Sequence, residues 1–535
     1  KYLLGSYEQN EDGSYSYTTN RVGNEVSTDL NSTNETAGDR RIYLEAMVDY
    51  NRTFGRHDVN AMLLYNQDEL VNNVPGNNLI NSLPKRKQGL AGRLSYAYDG
   101  KYMAEVNMGY NGSENFAKGH RWGFFPSIAL GYNISEESFF EPLRKVITSM
   151  KLRGSWGLVG NDQIGGERFI YMPTINLSGK GFTTGIDQNY GLSGPVYTRY
   201  ENNSITWEVG EKINLGIDLQ LLNSLNIVVD IFRETRRDIF QKKGTIPTYL
   251  GTGNTDVFGN LAEMKNQGLD LSIDYNKAFS KDFYMNFKGT FTYAHNEITK
   301  YDEAPKYAFQ SKVGQSANVS QGYLSNGLFL DEAEIDRYNQ QMGSTLGAGD
   351  IKYLNVSNMH GYGDDIVDVD DWTWIGNPTV PEIVYGFGPS FKYKNWDFSF
   401  FFQGVAKTSL FMSGFHPFGD NSLRNVLQFV ANDRWSPTNQ NVDAKYPRLT
   451  RKTSLNNTNP GNSGRTSDYW MRDGSFLKLK NMELGYTFKR MRFYISGSNL
   501  LTFSKFDLWD PEQGGGSGLK YPTQRVFNVG FQMTF

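Results

Sequence analysis

The sequence predicts an all-β chain that forms most of a transmembrane antiparallel β-barrel, and three observations lead there. Strand-length segments that alternate apolar and polar side chains recur along nearly the whole chain. Short and long connections alternate between those segments. The composition is strongly aromatic, with 35 Phe and 33 Tyr, yet mean hydropathy is −0.55. No apolar run approaches the roughly 18 residues that a spanning helix needs. A barrel tolerates such polarity, because half of each strand faces water and its loops are polar.

The closing stretch QRVFNVGFQMTF (residues 524–535) shows the pattern most clearly. Successive side chains of a strand point to opposite faces. Phe527, Val529, Phe531, Met533 and Phe535 therefore share one side, and Asn528, Gly530, Gln532 and Thr534 share the other. Upstream, Ile42 to Tyr50 and Val59 to Tyr65 alternate in the same way, as do Leu90 to Tyr98 and Tyr102 to Tyr110. Ile213 to Leu221, Leu269 to Tyr275, Phe283 to Tyr293 and Met482 to Phe488 continue it. Arg93, Glu105, Asp218 and Lys288 lie on the polar sides. A lipid-facing Arg or Lys at the midplane would cost about 2–4 kcal/mol, so the charged face must line a wet lumen.

Short turns are expected at 54–57, 99–101, 223–225, 278–282, 394–395 and 489–490. Long polar loops are expected at 71–87, 161–205, 238–262, 301–381, 411–472 and 505–523. Short periplasmic turns and long extracellular loops are the outer-membrane arrangement. Residues 135–147 (SEESFFEPLRKVI) read as a short amphipathic helix with a Ser cap on the periplasmic side. The count is about seventeen strands, an odd number, so strands are expected to be missing before Lys1. Lys1 opens without a start Met or a signal peptide, as if mid-protein or after processing. Soluble sandwiches and propellers also alternate, but with strands of about 5–6 residues rather than ten or more.

Several stretches resemble the SusC/RagA family of TonB-dependent outer-membrane transporters. They are GRLSYAYDGKYMAEVNMGYNGSENFAKGHRWGFFPSIALGYNISEESFF (92–140), KLRGSWGLVGN (151–161) and IGNPTVPEIVYGFGPSFKYKNWDFSFFFQG (375–404). SDYWMRDGSFLKLKNMELGYTF (467–488), YISGSNLLTFSKFDLWDPE (494–512) and the terminal strand complete the set. The resemblance implies that residues 1–535 are the C-terminal part of a receptor barrel of about 22 strands. The plug and first strands would lie outside this chain, the N-terminal part of the same barrel being a partner. It also implies import of oligosaccharides or peptides through the outer membrane, contact with a TonB complex through the plug, and a SusD-like lipoprotein over the extracellular mouth. A passive porin or a structural barrel within a larger complex is the alternative.

Chemistry-bearing motifs are few. HGYGDDIVDVDDWTWIGNP (360–378) carries Asp364, Asp368 and Asp371 at positions that, in relatives, belong to a calcium-like loop ahead of IGNP. Here His360 and Tyr362 replace two oxygen ligands and Asp365 replaces the turn Gly, so a solvated acidic loop is the simpler expectation. GYNGSENFAKGHRWGFFP (109–126) is better read as a strand end, a turn and a re-entry strand than as a ligand loop. Tyr190, Tyr197, Tyr249, Trp372, Trp374, Phe415 and Phe418 could stack on cargo, with Trp372, Trp374 and Phe415 the candidate binding residues; equally they could pin loops together. His57, His120, His295, His360 and His416 are scattered, with no HExxH, and no nucleophile motif or phosphate loop occurs, so no enzyme is expected. No cofactor is expected beyond a possible Ca²⁺. The absence of Cys excludes disulfides and thiolate zinc sites, and a net charge of −3 leaves no nucleic-acid footprint.

Overall fold

In the computed structural model, the described residues are 2–21, 36–74, 79–247, 249, 255–338, 340–341, 346–413, 426–449 and 466–535. Fifteen strands form one antiparallel sheet in which sequence neighbours are spatial neighbours throughout. They are β1 (Asp39–Phe54), β2 (His57–Asn72), β3 (Lys85–Tyr98), β4 (Tyr102–Ser113) and β5 (Trp122–Asn133). Next come β6 (Ile147–Asn161), β7 (Glu208–Leu221), β8 (Leu225–Lys242), β9 (Phe258–Ala278) and β10 (Phe283–Lys300). β11 (Ile383–Tyr393), β12 (Trp396–Ala406), β13 (Phe476–Phe488), β14 (Met491–Ser504) and β15 (Val526–Met533) complete the sheet.

About seventeen strands are expected, and among the described residues fifteen lie in this one sheet. The first two, Tyr2–Gln9 and Tyr15–Arg21, pair with each other, and neither joins β1 among the described residues. β1 and β15 are the sheet's two edges, and all sixteen positions of β1 are exposed.

The faces separate as the alternation requires. Leu130, Leu215, Ile495 and Val529 all lie on the outward face, and each is more than half exposed. Phe493 and Phe531 meet there across the β14–β15 pair, with ring centroids 5.1 Å apart. Tight connections at one end use left-handed residues: Asp99 and Gly100 between β3 and β4, Leu222 and Asn223 between β7 and β8. Such turns match the twist of the strands they join.

The 135–147 connection is a correction. It is built from two 3-10 stretches, Ile134–Glu136 and Ser138–Leu143, without a side-chain cap at either start. Pro142 lies inside the second and has no N–H to donate, which shortens any α-helical ladder there. At the opposite end the strands overshoot a bilayer. β9 has 21 residues, about 70 Å at 3.3 Å per residue, against a hydrocarbon core of about 30 Å. Beyond Ile231 and Leu269 the outward positions on β8 and β9 become Arg233 and Gln267, which mark where the apolar band ends.

This register makes an adjacent-residue test. Val529 pairs with Ile495 on the outward face and Asn528 pairs with Ser496 on the inward one. Val529→Arg should block assembly, at about 2–4 kcal/mol near the midplane. Asn528→Arg should assemble normally. Surface levels measured by heat-modifiable gel mobility distinguish the two; equal levels would overturn the assignment of faces, and the opposite order would mean that they are reversed.

Candidate functional site

Along the lumen-facing side of the sheet, charges are arranged in closed groups. Arg153 on β6 donates to Asp218 on β7 at 2.8 and 3.0 Å and to Asp230 on β8 at 3.0 Å. The guanidinium lies over Gly216, where a Cβ would stand 2.7 Å from it. The same arrangement recurs near the short-turn end. Arg492 on β14 binds Asp397 on β12, and Glu483 on β13 at 2.6 Å, crossing Gly485. Glycine is required in both places because only a backbone without a side chain lets a guanidinium reach across a strand. Arg93 pairs with Glu105 at 2.6 Å, and Arg236 with Glu234 at 2.7 Å. Asn286, Ser390, Ser399, Asn481, Ser496 and Ser498 line a cavity of about 360 Å³ together with Lys288 and Glu483.

Over the long-loop end, three loops that are distant in sequence fold into one cap. Tyr323, Leu328, Ile351, Tyr353 and Val367 come from the loop after β10. Leu410, Met412, Val430, Trp435, Tyr446 and Trp470 come from the loop after β12, and Phe506 from the loop after β14. These side chains are essentially closed to solvent. Arg448 and Asp350 tie two of the loops together through paired hydrogen bonds of 2.6 and 2.9 Å. Ser325 donates through its N–H and its Oγ to Asp468 at 2.7 and 2.6 Å. A second small core of Phe116, Ile164, Ile170, Ile205 and Trp207 closes the loops above β4 to β7.

The third loop is held by a defect in the ladder. β13 slips register between Leu479 and Asn481 against both neighbours: Lys480 is an extra residue opposite β12, and on the other side Asn499 and Leu500 of β14 lie across from it. Such bulges re-aim side chains. Lys478, almost wholly buried, binds Asp510 and Glu512, and Lys480 binds Glu512 at 2.7 Å. Desolvation opposes the ionised forms of Asp510 and Glu512. The hydrogen bonds from the lysine ammoniums outweigh it and hold both below the usual carboxylate range.

The residues singled out in the acidic stretch are occupied with the backbone. Asp371 is fully buried and accepts from the N–H groups of Ser357 at 2.9 Å and Asp368 at 2.8 Å. Burial pushes its carboxyl above the ordinary value. Asp368 caps the Asp370 N–H at 2.8 Å. Asp364 accepts from Asn355, whose amide nitrogen lies within 2.8 to 3.3 Å of three oxygens of residues 364 and 366. Among the described residues, no group of three or more carboxylates or imidazoles is placed to hold a metal ion. A neutral amide sits among the oxygens instead.

The aromatic candidates divide. Trp374 is half-buried and donates from its indole to the Ser311 carbonyl at 2.8 Å. Trp372 is half-buried against the cap core, edge-on to Tyr323. Tyr190, Tyr197 and Tyr249 are exposed, and Tyr197 stacks on Tyr200. Phe415, Phe418 and His416 lie outside the described residues. Sequence reasoning missed a ring cluster on the cap, in which Tyr307 meets Tyr362 at 4.2 Å and Phe309 stacks on His360 at 4.7 Å. It also missed the lysine–carboxylate anchor, whose one signal was the crowding of Lys and Leu in FLKLK ahead of LWDPE.

The family model described as "TonB dependent receptor-like, beta-barrel" matches residues 2–500. Over 96% of its length this chain is 25% identical to the TonB-dependent receptor P3 of Formosa agariphila, covering 54% of that protein. It is 28% identical to the TonB-dependent receptor SusC of Bacteroides thetaiotaomicron, over 83% of this chain and 43% of that one. In structure it is similar to the RagAB peptide transporter, with a TM-score of 0.68 at 20% identity, over 93% of this chain and 56% of that one. The chain spans about half the length of the curated relatives it matches.

Two outcomes follow for the cap. Asp510 and Glu512 have folded values below their unfolded ones, so the released loop binds protons more readily than the anchored one. The anchor is therefore at full strength above about pH 5 and weakens as pH falls below about 4. Limited proteolysis of residues 505–525 across that range should show protection lost in acid; protection that persists at the lowest pH would mean the lysines contribute little. For the acidic stretch, calorimetry on the detergent-purified protein should detect no tight Ca²⁺ binding. A sub-micromolar affinity that disappears in Asp364→Ala would overturn this.

Proposed function

This chain belongs to the TonB-dependent receptor β-barrel family, and from that premise we propose that it forms wall and mouth of a SusC-like outer-membrane nutrient importer. The family is one of receptors rather than enzymes, and the proposed mechanism is capture, not chemistry. The observation that carries it is the family match over residues 2–500. The names of the relatives support it: one is called SusC, and a structural neighbour is described as a peptide transporter.

In this reading oligosaccharide or peptide cargo binds between the cap and a SusD-like surface lipoprotein. A TonB complex then acts through a plug domain inside the barrel. The edges β1 and β15 close on wall strands supplied by a further segment of the same protein, because an open edge would present unpaired N–H and C=O groups to lipid at several kcal/mol each. The groups around Arg153 and Arg492 each set two carboxylates against one guanidinium, so they favour a cargo path that carries a modest negative charge. Trp372 and Trp374 would offer cargo the ring faces that the cap leaves open. The acidic stretch serves the cap with or without Ca²⁺. A passive porin-like barrel is less favoured, since the family's members are receptors.

The test uses cells carrying the full-length protein. Uptake of fluorescently tagged oligosaccharides and peptides is measured with the TonB complex intact, with TonB deleted, and after collapse of the proton gradient. Uptake of one cargo class should be lost in both treatments. Undiminished uptake in both would leave the passive reading. Mild extraction from the native membrane should recover a lipoprotein in equal amount, and its absence would remove the lid from the mechanism.

A further inference from the structure

The stretch 109–126, which the importer reading leaves unused, brings a group of cations to the lumen side of the mouth. Arg93 and Glu105 mark the inward face. Lys85 and Lys87 share the parity of Arg93 on β3, and Ser113 shares that of Glu105 on β4. Lys87 pairs with Ser113, and the Ser113 N–H donates to the Arg121 carbonyl at 3.0 Å. The three therefore lie in one row across β3, β4 and the entry to β5. The next inward row toward the short-turn end is Asn66, Gly89 and Asn111. A Cβ on Gly89 would stand 2.6 and 2.7 Å from the two amide oxygens, so glycine is what lets both amides close over the strand.

Some of the cations here are matched and others are not. Arg86 is offset by Glu69 at 2.7 Å and Glu114 at 3.9 Å, and Lys87 by Asp162 at 2.7 Å. Asp68 lies across from Lys87 but is taken by Arg41. Among the described residues no carboxylate lies within 4 Å of the charged nitrogens of Lys85, Lys118, Arg121 or Arg168. Lys85 and Lys118 are exposed. Arg121 is fixed in place: its Nε donates to the Phe116 carbonyl at 3.2 Å, and its own carbonyl receives the Trp207 indole at 3.1 Å. Its terminal nitrogens carry no hydrogen bond among the described residues. Arg168 is buried and donates to the carbonyls of Ile80, Leu83 and Pro84 at 2.8, 3.1 and 2.9 Å. That ties down the segment leading into Lys85 and adds a buried positive charge behind it. A cavity of about 150 Å³ opens beside the row, lined by Lys87, Ser113 and Arg121 with Arg86, Glu114 and Trp122.

We propose that this part of the mouth selects an acidic oligosaccharide, one whose sugar rings carry carboxylate or sulfate groups. Arg121 offers the planar fork of donors that matches either group. Lys85 and Lys118 add a field that raises the local concentration of anions. The side-chain amides of Asn66 and Asn111, in the adjoining row, supply donors and acceptors of the kind that sugar hydroxyls need. An acidic peptide fits less well. β3, β4 and β5 are each paired on both sides, so no strand edge is open to a peptide backbone. The attraction is confined to the mouth. Arg153 pairs through Gly131 with Met103, ten residues from Ser113 along β4, and there two carboxylates face one guanidinium. The grip on an anion thus weakens as cargo moves inward, which suits capture followed by release. This inference deepens the importer reading and rests on it for cargo that enters from outside.

The experiment measures binding by calorimetry on the full-length protein in detergent, at low and at high salt. The probes are tetragalacturonate, a sulfated galactan tetrasaccharide, an uncharged glucan tetrasaccharide and tetraglutamate. At least one of the two acidic sugars should bind about tenfold more tightly than the uncharged sugar and tetraglutamate, and which one it is separates carboxylate from sulfate. Lys85→Gln with Arg121→Gln should weaken that binding about tenfold and flatten its salt dependence. Arg121→Lys, which keeps the charge and loses the fork, should fall between wild type and the double variant. Lys265→Gln, a cation on the outward side of β9, should change nothing. Heat-modifiable mobility confirms that each variant is folded. Equal affinity in wild type and double variant would overturn the proposal. So would equal affinity for the uncharged sugar or for tetraglutamate, or no binding of either acidic sugar. Uptake in cells separates the two readings. An acidic sugar that binds yet enters without TonB defeats the importer reading, whereas TonB-dependent uptake of uncharged cargo alone defeats only this inference.

Discussion

Everything in this chain depends on a side-chain period of two residues held in register across fifteen strands. Side chains one position apart meet opposite solvents, so a slip of a single residue anywhere would carry charges outward and aromatic rings inward. Among the described residues, register shifts are confined to five strand pairs of the wall. One of these sites has an evident use: the irregularity at Lys480 on β13 takes a second lysine to the carboxylates of the loop after β14. The Arg153 and Arg492 groups obey the same constraint. Each keeps its charges on the inner face, and each needs a glycine on the strand that the guanidinium crosses.

The wall was legible in the sequence because its rule is local. Alternation in 42–50, 102–110, 213–221 and 482–488 identified strands whose faces and turns agree with the structure. The reading of 109–126 as strand end, turn and re-entry strand agrees as well. One expectation failed where the local rule ran out. Residues 135–147 had amphipathic spacing and a cap-like Ser, but Pro142 lies where a continuing helix would need a donor.

The cap was illegible for the opposite reason. Its core is assembled from side chains some 180 positions apart, such as Tyr323 and Phe506, and no window of sequence contains both. Loop composition promised only polarity and scattered aromatics. That Trp372 packs against a core while Tyr249 stands in solvent is a property of the assembled loops. The acidic stretch shows the same limit: a solvated acidic loop was the simpler expectation, and the burial of Asp371 against the N–H of Ser357, upstream of the motif, is a property of the assembled loops.

The shared core of the cap has a consequence for how such receptors diversify. Three loops that bury one another's side chains cannot be exchanged one at a time: a loop imported alone from a relative would bring half of an interface and strand the other half in water. A change in the surface that this cap presents therefore has two open routes. Either all three loops travel together as a unit, or change is confined to residues on the cap's outer skin, such as the Tyr307, Phe309, His360 and Tyr362 rings, whose replacement leaves the common interior intact.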